Sequence, residues 1–353
     1  MSRSSLMVAI LAGVVPALAQ AQVSEEVRRA TVDSENVLGT SMHLELAAEA
    51  SKLKGARKAL TAEIERLDGI LSTWNAGSEL RRLPRPCPPT AASVELREVL
   101  AATERWMGAS GGAFHPGVEV LMQLWKLAET RNSEPSSEEL AAALARIREP
   151  LWKLDEASAT VAFLSDVPLS FDGLAKGYII YRAIDAAVRA GARDLVLDIG
   201  GDVRVVGKTR WTVAVADPRA PADNAQPLCK LELENRSVAT SGGYARGFDI
   251  AGKHFSHIFD PRTGKPVTAV QQATVIAPDA TTADALATAL NVLAPGEGLA
   301  LVAKLPGVAS MVVDAQGVQH ASPDWARFVR ASATAAADAP AASGPSVLPR
   351  GGS

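Results

Sequence analysis

Two cysteines, five histidines and an aromatic content of 5% leave this 353-residue chain few of the usual carriers of chemistry. Cys87 and Cys229 stand far apart, with no C-x-x-C and no Cys/His spacing, which argues against a zinc module; a single long-range disulfide stays open for an exported chain. Positive charge is not in surplus. The 36 Lys and Arg face 39 Asp and Glu, whereas a nucleic-acid binder needs an excess of cations to meet phosphates, so nucleic acid is not an expected partner. There is no GxxxxGK[ST], no GxGxxG and no GxSxG, so the P-loop, dinucleotide-fold and serine-hydrolase readings lose their main support. A bilayer span is lacking too: the apolar run after Met1-Ser2-Arg3 is broken at Pro16 and falls short of the roughly 20 residues a membrane helix needs.

That run reads instead as a secretory signal over residues 1–21, cleaved after Ala21 or Ala19. No cysteine follows the cleavage point, so no lipid anchor is expected there. The protein is therefore expected in the periplasm, with one domain over residues 22–330. Beyond Arg330 the Ala-, Pro- and Ser-rich stretch 331–353 carries almost no large apolar residue and is read as a disordered tail.

Inside the domain the periodicities alternate between 2 and 3.6. Val32, Val37, Leu38, Met42, Leu44 and Leu46 interleave with polar residues as in a hairpin of half-buried strands. Leu53, Ala56, Leu60, Ile64, Leu67 and Leu71 then fall on one stripe of a helix from Glu49 to Leu71. Proline density forbids regular structure after Leu83, and a second helix is expected from Ser93 to Ser110, stopped by Gly111-Gly112. An apolar segment opened by a turn follows at Gly112, then a helix through "SSEELAAALARIR". A further helix runs to Gly191, with strands on either side of Gly200-Gly201. More strands are expected over Trp211 to Ala216, Leu228 to Leu233, Gly247 to Phe259 and "ATVIAP", then the helix "TTADALATALNVLA", with a last helix and strand ending at "ASMVVDA". Short turns join many of the strands, so the fold class is α/β (α+β) with mixed, mainly antiparallel sheets packed with helices, not a doubly wound sheet.

Three stretches can carry chemistry. Asp284 and Thr288 are four apart on a helix, which stacks their oxygens on one face, a donor type that suits a hard cation such as Mg2+. The bland alternative is an Asp near a helix start, favoured by the macrodipole, and a Thr on a polar face. "FDGLAKGY" and "DIGGD" are glycine-bearing turns whose N–H groups can meet a phosphate, with Lys176 as a point charge. "ATSGGYARGF" places Ser241 in a tight polar turn.

Read in order, "VLGTSMHLEL", "LSTWNAGSELRRL", "GGAFHPGVEVLMQLW", "DGLAKGYIIYRAID", "LDIGGDVRVVG", "ATSGGYARGF", "FSHIFDPRTGKPV" and "ADALATALNVL" make the chain resemble the FAD:protein FMN transferase family, the ApbE-like flavin transferases. The resemblance covers almost the whole mature chain. It implies a T-fold-like α/β architecture, FAD as substrate, Mg2+ as cofactor, and transfer of FMN to a Ser or Thr hydroxyl of an exported flavoprotein, with release of AMP. The acceptor it implies carries a Ser/Thr-Gly-Ala-Thr type motif. Some relatives instead hydrolyse FAD to FMN and AMP, so an FAD pyrophosphatase or flavin-binding module is the alternative. By resemblance, Asp284, Thr288 and the carbonyl of Gly173 hold Mg2+, and His257 is the base for the acceptor hydroxyl. Leu38, Trp74, Ala113, Phe114, His115, Ser170, Lys176 and Ile258 fall at positions that line the flavin and its phosphates. Four residues depart from the family pattern: Leu38 replaces a usual Met, and His115, Ser170 and Gly243 replace frequent Asp residues.

Overall fold

The computed structural model describes residues 26–220, 226–243 and 247–330. The expected signal at 1–21 and tail at 331–353 lie outside the described residues. So does Tyr244 of "ATSGGYARGF".

An eight-stranded sheet forms the frame, its strands numbered here in chain order: β1 (Val27–Val37), β2 (Thr40–Glu49), β3 (Ala192–Ile199), β4 (Asp202–Val206), β5 (Arg236–Gly242), β6 (Val270–Ala277), β7 (Ala309–Asp314) and β8 (Gln319–Ala321). Each pairs antiparallel with the next, so chain order is also sheet order. The helices of eight residues or more are α1 (Ala50–Leu71), α2 (Val94–Ala109), α3 (Val118–Thr130), α4 (Ser137–Arg148), α5 (Ala175–Arg189), α6 (Ala280–Val292) and α7 (Pro295–Val302), with a single turn at Glu79–Arg82 besides. Among the described residues no helix is long and apolar enough to cross a membrane.

Strand alternation decides what covers each face. Leu44 and Leu46 of β2, Leu195 and Leu197 of β3, Ala239 of β5, Ala273 and Val275 of β6 and Val312 of β7 point into one large core, closed by α1, α5 and α6. Their neighbours Val196, Val203, Val205, Val238, Ile276, Met311 and Val313 point the other way, into a second core capped by Trp325 and the hairpin Trp211–Val215/Cys229–Leu233. On α1 the buried residues Ala56, Leu60, Ile64, Leu67 and Leu71 form the expected stripe. Each buried Leu removes apolar surface worth about 2 kcal/mol from water. The two thiols are free, Cys87 in the first core and Cys229 beside the second.

Three local readings are corrected. Gly247 to Phe259 is not one strand but a hairpin, Gly247–Ile250 with Lys253–Ser256, because Ala251 (φ 50°) and Gly252 (φ 78°) both take the left-handed turn region. The hairpin ends at Ser256, whose Oγ accepts the Ile258 N–H at 3.0 Å and bends the chain, so strand alternation does not carry through His257. Third, the proline-rich stretch regains structure at Thr90–Ala91, which joins Trp152–Asp155 and Thr160–Phe163 in a small sheet with no sequence forecast. Backbone pairing with distant residues supplied what local propensity did not.

Candidate active site

Helix α5 starts without a side-chain cap of its own, since Leu174 precedes it. The orphan N–H of Gly177 in its first turn donates instead to Asp284 Oδ2 at 2.9 Å, so a carboxylate on α6 satisfies the start of α5. The two helices can come this close only because residue 177 has no Cβ. One built there would lie 2.2 Å from the Ala280 carbonyl oxygen and 2.8 Å from Asp284 Cβ. The contact fixes Asp284 against the loop "FDGLAKGY".

The same loop brings in Gly173. A Cβ on it would sit 2.7 Å from Thr288 Oγ1 and 3.2 Å from the ring of Phe114. Buried Phe114 and Ala113 belong to the loop after α2, held by Ser110 Oγ, which accepts the Phe114 N–H at 2.9 Å. The two loops are tied where the Ser170 N–H donates to the Pro116 carbonyl at 2.8 Å. Ser170 Oγ in turn accepts the N–H of Asp172 at 3.3 Å.

Lys176, one residue before the Asp284 contact, reaches toward the sheet, where its Nζ lies 3.0 Å from Asp202 Oδ2. Desolvation lowers the Lys176 ammonium, but the Asp202, Asp284 and Asp198 charges outweigh it and hold the group above its usual value. Burial raises the Asp202 carboxyl while Lys176 pulls it back down. We take the pair as ionised, because its close contact is favourable only with both charges present and three carboxylates hold the proton on Lys176. Asp284 stands well above the ordinary carboxylate range, chiefly from burial and then from Asp202, with Lys176 and the Gly177 N–H opposing. Sequence reading quoted Asp202 within "DIGGD" without giving it a role; an acidic residue straight after a Gly-Gly turn was the available signal.

Other expected residues gather at the same end of the sheet. Leu38 (φ 52°) and Gly39 (φ 80°) form the two-residue β1–β2 turn between the paired Val37 and Thr40. A left-handed Leu costs about 1 kcal/mol, and its side chain packs partly on the first core. The Gly200-Gly201 turn lies alongside, with the Gly200 N–H donating to the Ser41 carbonyl at 3.0 Å. Ile258 approaches the end of β5, where a Cβ on Gly243 would meet its Cδ1 at 3.8 Å. His257 is half-buried on the bend before it. Phe255 and Phe259 on either side of that bend pack on Trp125, whose indole N–H donates to the Gly264 carbonyl at 3.0 Å. Trp74 sits on the loop after α1 and is 88% exposed. Two surface cavities, of about 440 and 300 Å3, are lined by none of Asp284, Thr288 and Lys176; the smaller borders Ser110-Gly111, Arg262 and Lys304.

His115 is engaged by the main chain of its own loop. Its Nδ1 accepts the Gly117 N–H at 3.0 Å. Burial lowers its pKa to about 4, against the opposing effect of the Ile147 carbonyl. The unfolded chain, near 6.5, therefore takes up the proton first as pH falls. The stability this histidine confers is complete above about pH 6.5 and is lost between there and about pH 4, roughly 3 kcal/mol in all. Denaturant titrations of wild type and His115→Gln at pH 7.5 and 4.5 are expected to show the gap between the two chains closing at the lower pH; a constant gap would refute it.

Mg2+ as the resemblance implies it has one carboxylate, one hydroxyl and one carbonyl here. Among the described residues no group of three or more His, Cys, Asp or Glu is placed to hold a metal, so only this sparser set is on offer. It fits a hard ion that keeps waters and shares phosphate oxygens. The donors are all oxygen, Gly173 leaves the space beside Thr288 Oγ1 open, and a cation would offset the burial of Asp284 next to Asp202.

Fold and site thus define an α/β protein with a single-carboxylate oxygen cluster and a lysine beneath one end of an antiparallel sheet. The family model described as the ApbE family matches residues 38–312, and the chain belongs to that family. It is 28% identical to the FAD:protein FMN transferase of Treponema pallidum (strain Nichols), over 88% of this chain and 90% of that protein. With the Vibrio cholerae FAD:protein FMN transferase it shares 30% identity over 69% of this chain and 76% of the relative. Among solved structures, the ApbE protein of Thermotoga maritima superposes with a TM-score of 0.74 at 29% identity, covering 86% of this chain and all of that one. The apo flavinyl transferase ApbE of Pseudomonas stutzeri gives 0.71 at 27% identity, over 87% of this chain and 98% of its own.

Proposed function

We propose that this chain transfers the FMN half of FAD to a Ser or Thr hydroxyl of an exported flavoprotein and releases AMP. Flavin transfer as such rests on family membership and on relatives named for that reaction. The finer reading rests chiefly on one observation: the loop of Gly173 and Lys176 and the α6 pair Asp284 and Thr288, distant in sequence, are packed together, with Phe114 beside Gly173.

A hydroxyl is a weak nucleophile at neutral pH, so a base must take its proton as it attacks. His257 fills that role, accepting the proton while the new oxygen–phosphorus bond to FMN forms and the phosphoanhydride bond to AMP breaks. Lys176 sets a fixed positive charge against the diphosphate, which favours the charge that builds on the leaving phosphate. Mg2+ held by Asp284, Thr288 and the Gly173 carbonyl would supply further charge neutralisation on those oxygens. Phe114 and Ala113 supply an apolar wall, and exposed Trp74 offers an aromatic face for a flavin ring. The reading of residues 1–21 as a signal puts the acceptor in the periplasm.

The test is purified protein with FAD, Mg2+ and a flavoprotein fragment bearing a Ser/Thr-Gly-Ala-Thr motif, read by the mass of the fragment and by AMP. An FMN mass increase with matching AMP is expected. AMP without labelled fragment would replace transfer by hydrolysis, and FAD bound with neither product would leave only a binding module. His257→Ala is expected to lower transfer by about 100-fold or more while FAD still binds. Wild-type turnover in that variant would remove His257 from the base role.

A further inference from the structure

We infer that Asp202 is the positioning residue that holds Lys176 in place at the site. The inference rests on the proposed function for the identity of the substrate, and on the ion pair for its geometry. Asp202 opens β4, the fourth of eight strands, directly after the Gly200-Gly201 turn. That turn is pinned on two sides, by the Gly200 N–H on the Ser41 carbonyl and by the Gly201 N–H on Asp198 Oδ1 at 2.8 Å. The Asp202 side chain is 4% exposed and faces Lys176, while the nearby Thr240 main chain on β5 helps hold the carboxyl down. Its Oδ2 has no hydrogen-bond partner of good geometry, only the lysine charge at 3.0 Å.

A buried carboxylate that faces a single ammonium is costly unless the ammonium stays, so the arrangement fixes the cation. Lys176 needs such an anchor, because its four-carbon stem otherwise leaves the charge free to move. Without Asp202, the strongest remaining attraction on Lys176 is Asp284, the expected metal ligand. The lysine would swing onto that carboxylate and away from the diphosphate. Asp202 thus sets both where the positive charge sits and which partner Asp284 keeps.

A double-mutant cycle tests this. Asp202→Asn keeps the shape but loses the charge. It is expected to lower kcat about 30-fold or more while FAD affinity by fluorescence stays within about 3-fold, the split that marks an interaction made at the transition state. In a Lys176→Met background the same change is expected to cost less than about 3-fold, because the pair acts as one unit. Near-wild-type kcat in Asp202→Asn, an undiminished loss in the Lys176→Met background, or kcat and FAD affinity falling together would overturn the role. Should Asp202→Asn alone not fold, the double variant, which removes both buried charges, is compared with Lys176→Met: equal kcat supports the role and a drop beyond about 5-fold ends it. A wild type that gives neither labelled acceptor nor AMP would sink the proposed function instead. Unfolding free energies of the same chains then carry the cycle: a loss in Asp202→Asn that the Lys176→Met background largely removes supports the pairing, and additive losses overturn it.

Discussion

Asp284→Ala is expected to abolish FMN transfer, by about 1,000-fold or more, and with it any dependence on a divalent cation, since a lost metal ligand removes several kcal/mol of charge stabilisation. Alanine also strips the Gly177 N–H of its acceptor at the start of α5, so the loss alone would not separate charge from architecture. Asp284→Asn makes that separation. The amide oxygen can still accept the Gly177 N–H, so α5 stays in place, yet no anion remains for a cation. Transfer should fall nearly as far as in Asp284→Ala, and without divalent cation the Asn variant should unfold at a higher temperature than wild type. The reason is that Asp284 is buried beside Asp202, only partly offset by Lys176 and the Gly177 N–H, and replacing that carboxylate by an amide relieves a desolvation cost. An Asn variant that kept a tenth of the wild-type rate or more would take Asp284 out of the metal role.

Gly177→Ala is expected to damage both the fold and the site. Helix propensity alone favours it by about 1 kcal/mol, because alanine has less backbone freedom to lose. The added methyl, however, would stand 2.2 Å from the Ala280 carbonyl oxygen and 2.7 Å from its carbon, and neither can turn aside as a side-chain tip would. Helices α5 and α6 must move apart, a cost of about 3 kcal/mol or more that outweighs the propensity gain. The Asp284 contact and the Lys176 position go with them, so stability and transfer should fall together. Gly69→Ala in α1 serves as the comparison, since nothing lies within 4 Å of its missing Cβ and only the propensity gain should appear. If both substitutions shifted the denaturation midpoint in the same direction, close packing at residue 177 would not be what sets its identity.

Much of the frame is legible in the sequence. The stripe from Ala56 to Leu71 marked α1, and Asp284 and Thr288 at one-turn spacing marked a shared helix face. Those signals repeat within a few residues, and a local period survives whatever the rest of the chain does. Resemblance added roles for Gly173, Lys176 and His257 that spacing could not give. The hairpin at Ala251-Gly252 was missed because a left-handed Ala before Gly carries a weaker turn signal than Asn-Gly. The bend at Ser256 was missed because alternation of Phe255, His257 and Phe259 matched a continuous strand.

By itself, then, the sequence determined most strands of the main sheet and the helices that cover it, which faces of them are apolar, and that the sheet is mainly antiparallel. Only the tertiary structure decided that Asp284 closes the start of α5, that Asp202 faces Lys176, that Gly177 admits the Ala280 carbonyl, and that His115 spends its ring on the main chain. Each of these joins groups brought together by sheet order or loop closure and depends on burial. A carboxylate's partners and the water around it are set by the packed neighbours, and nothing in the residues adjacent to it in the chain encodes them.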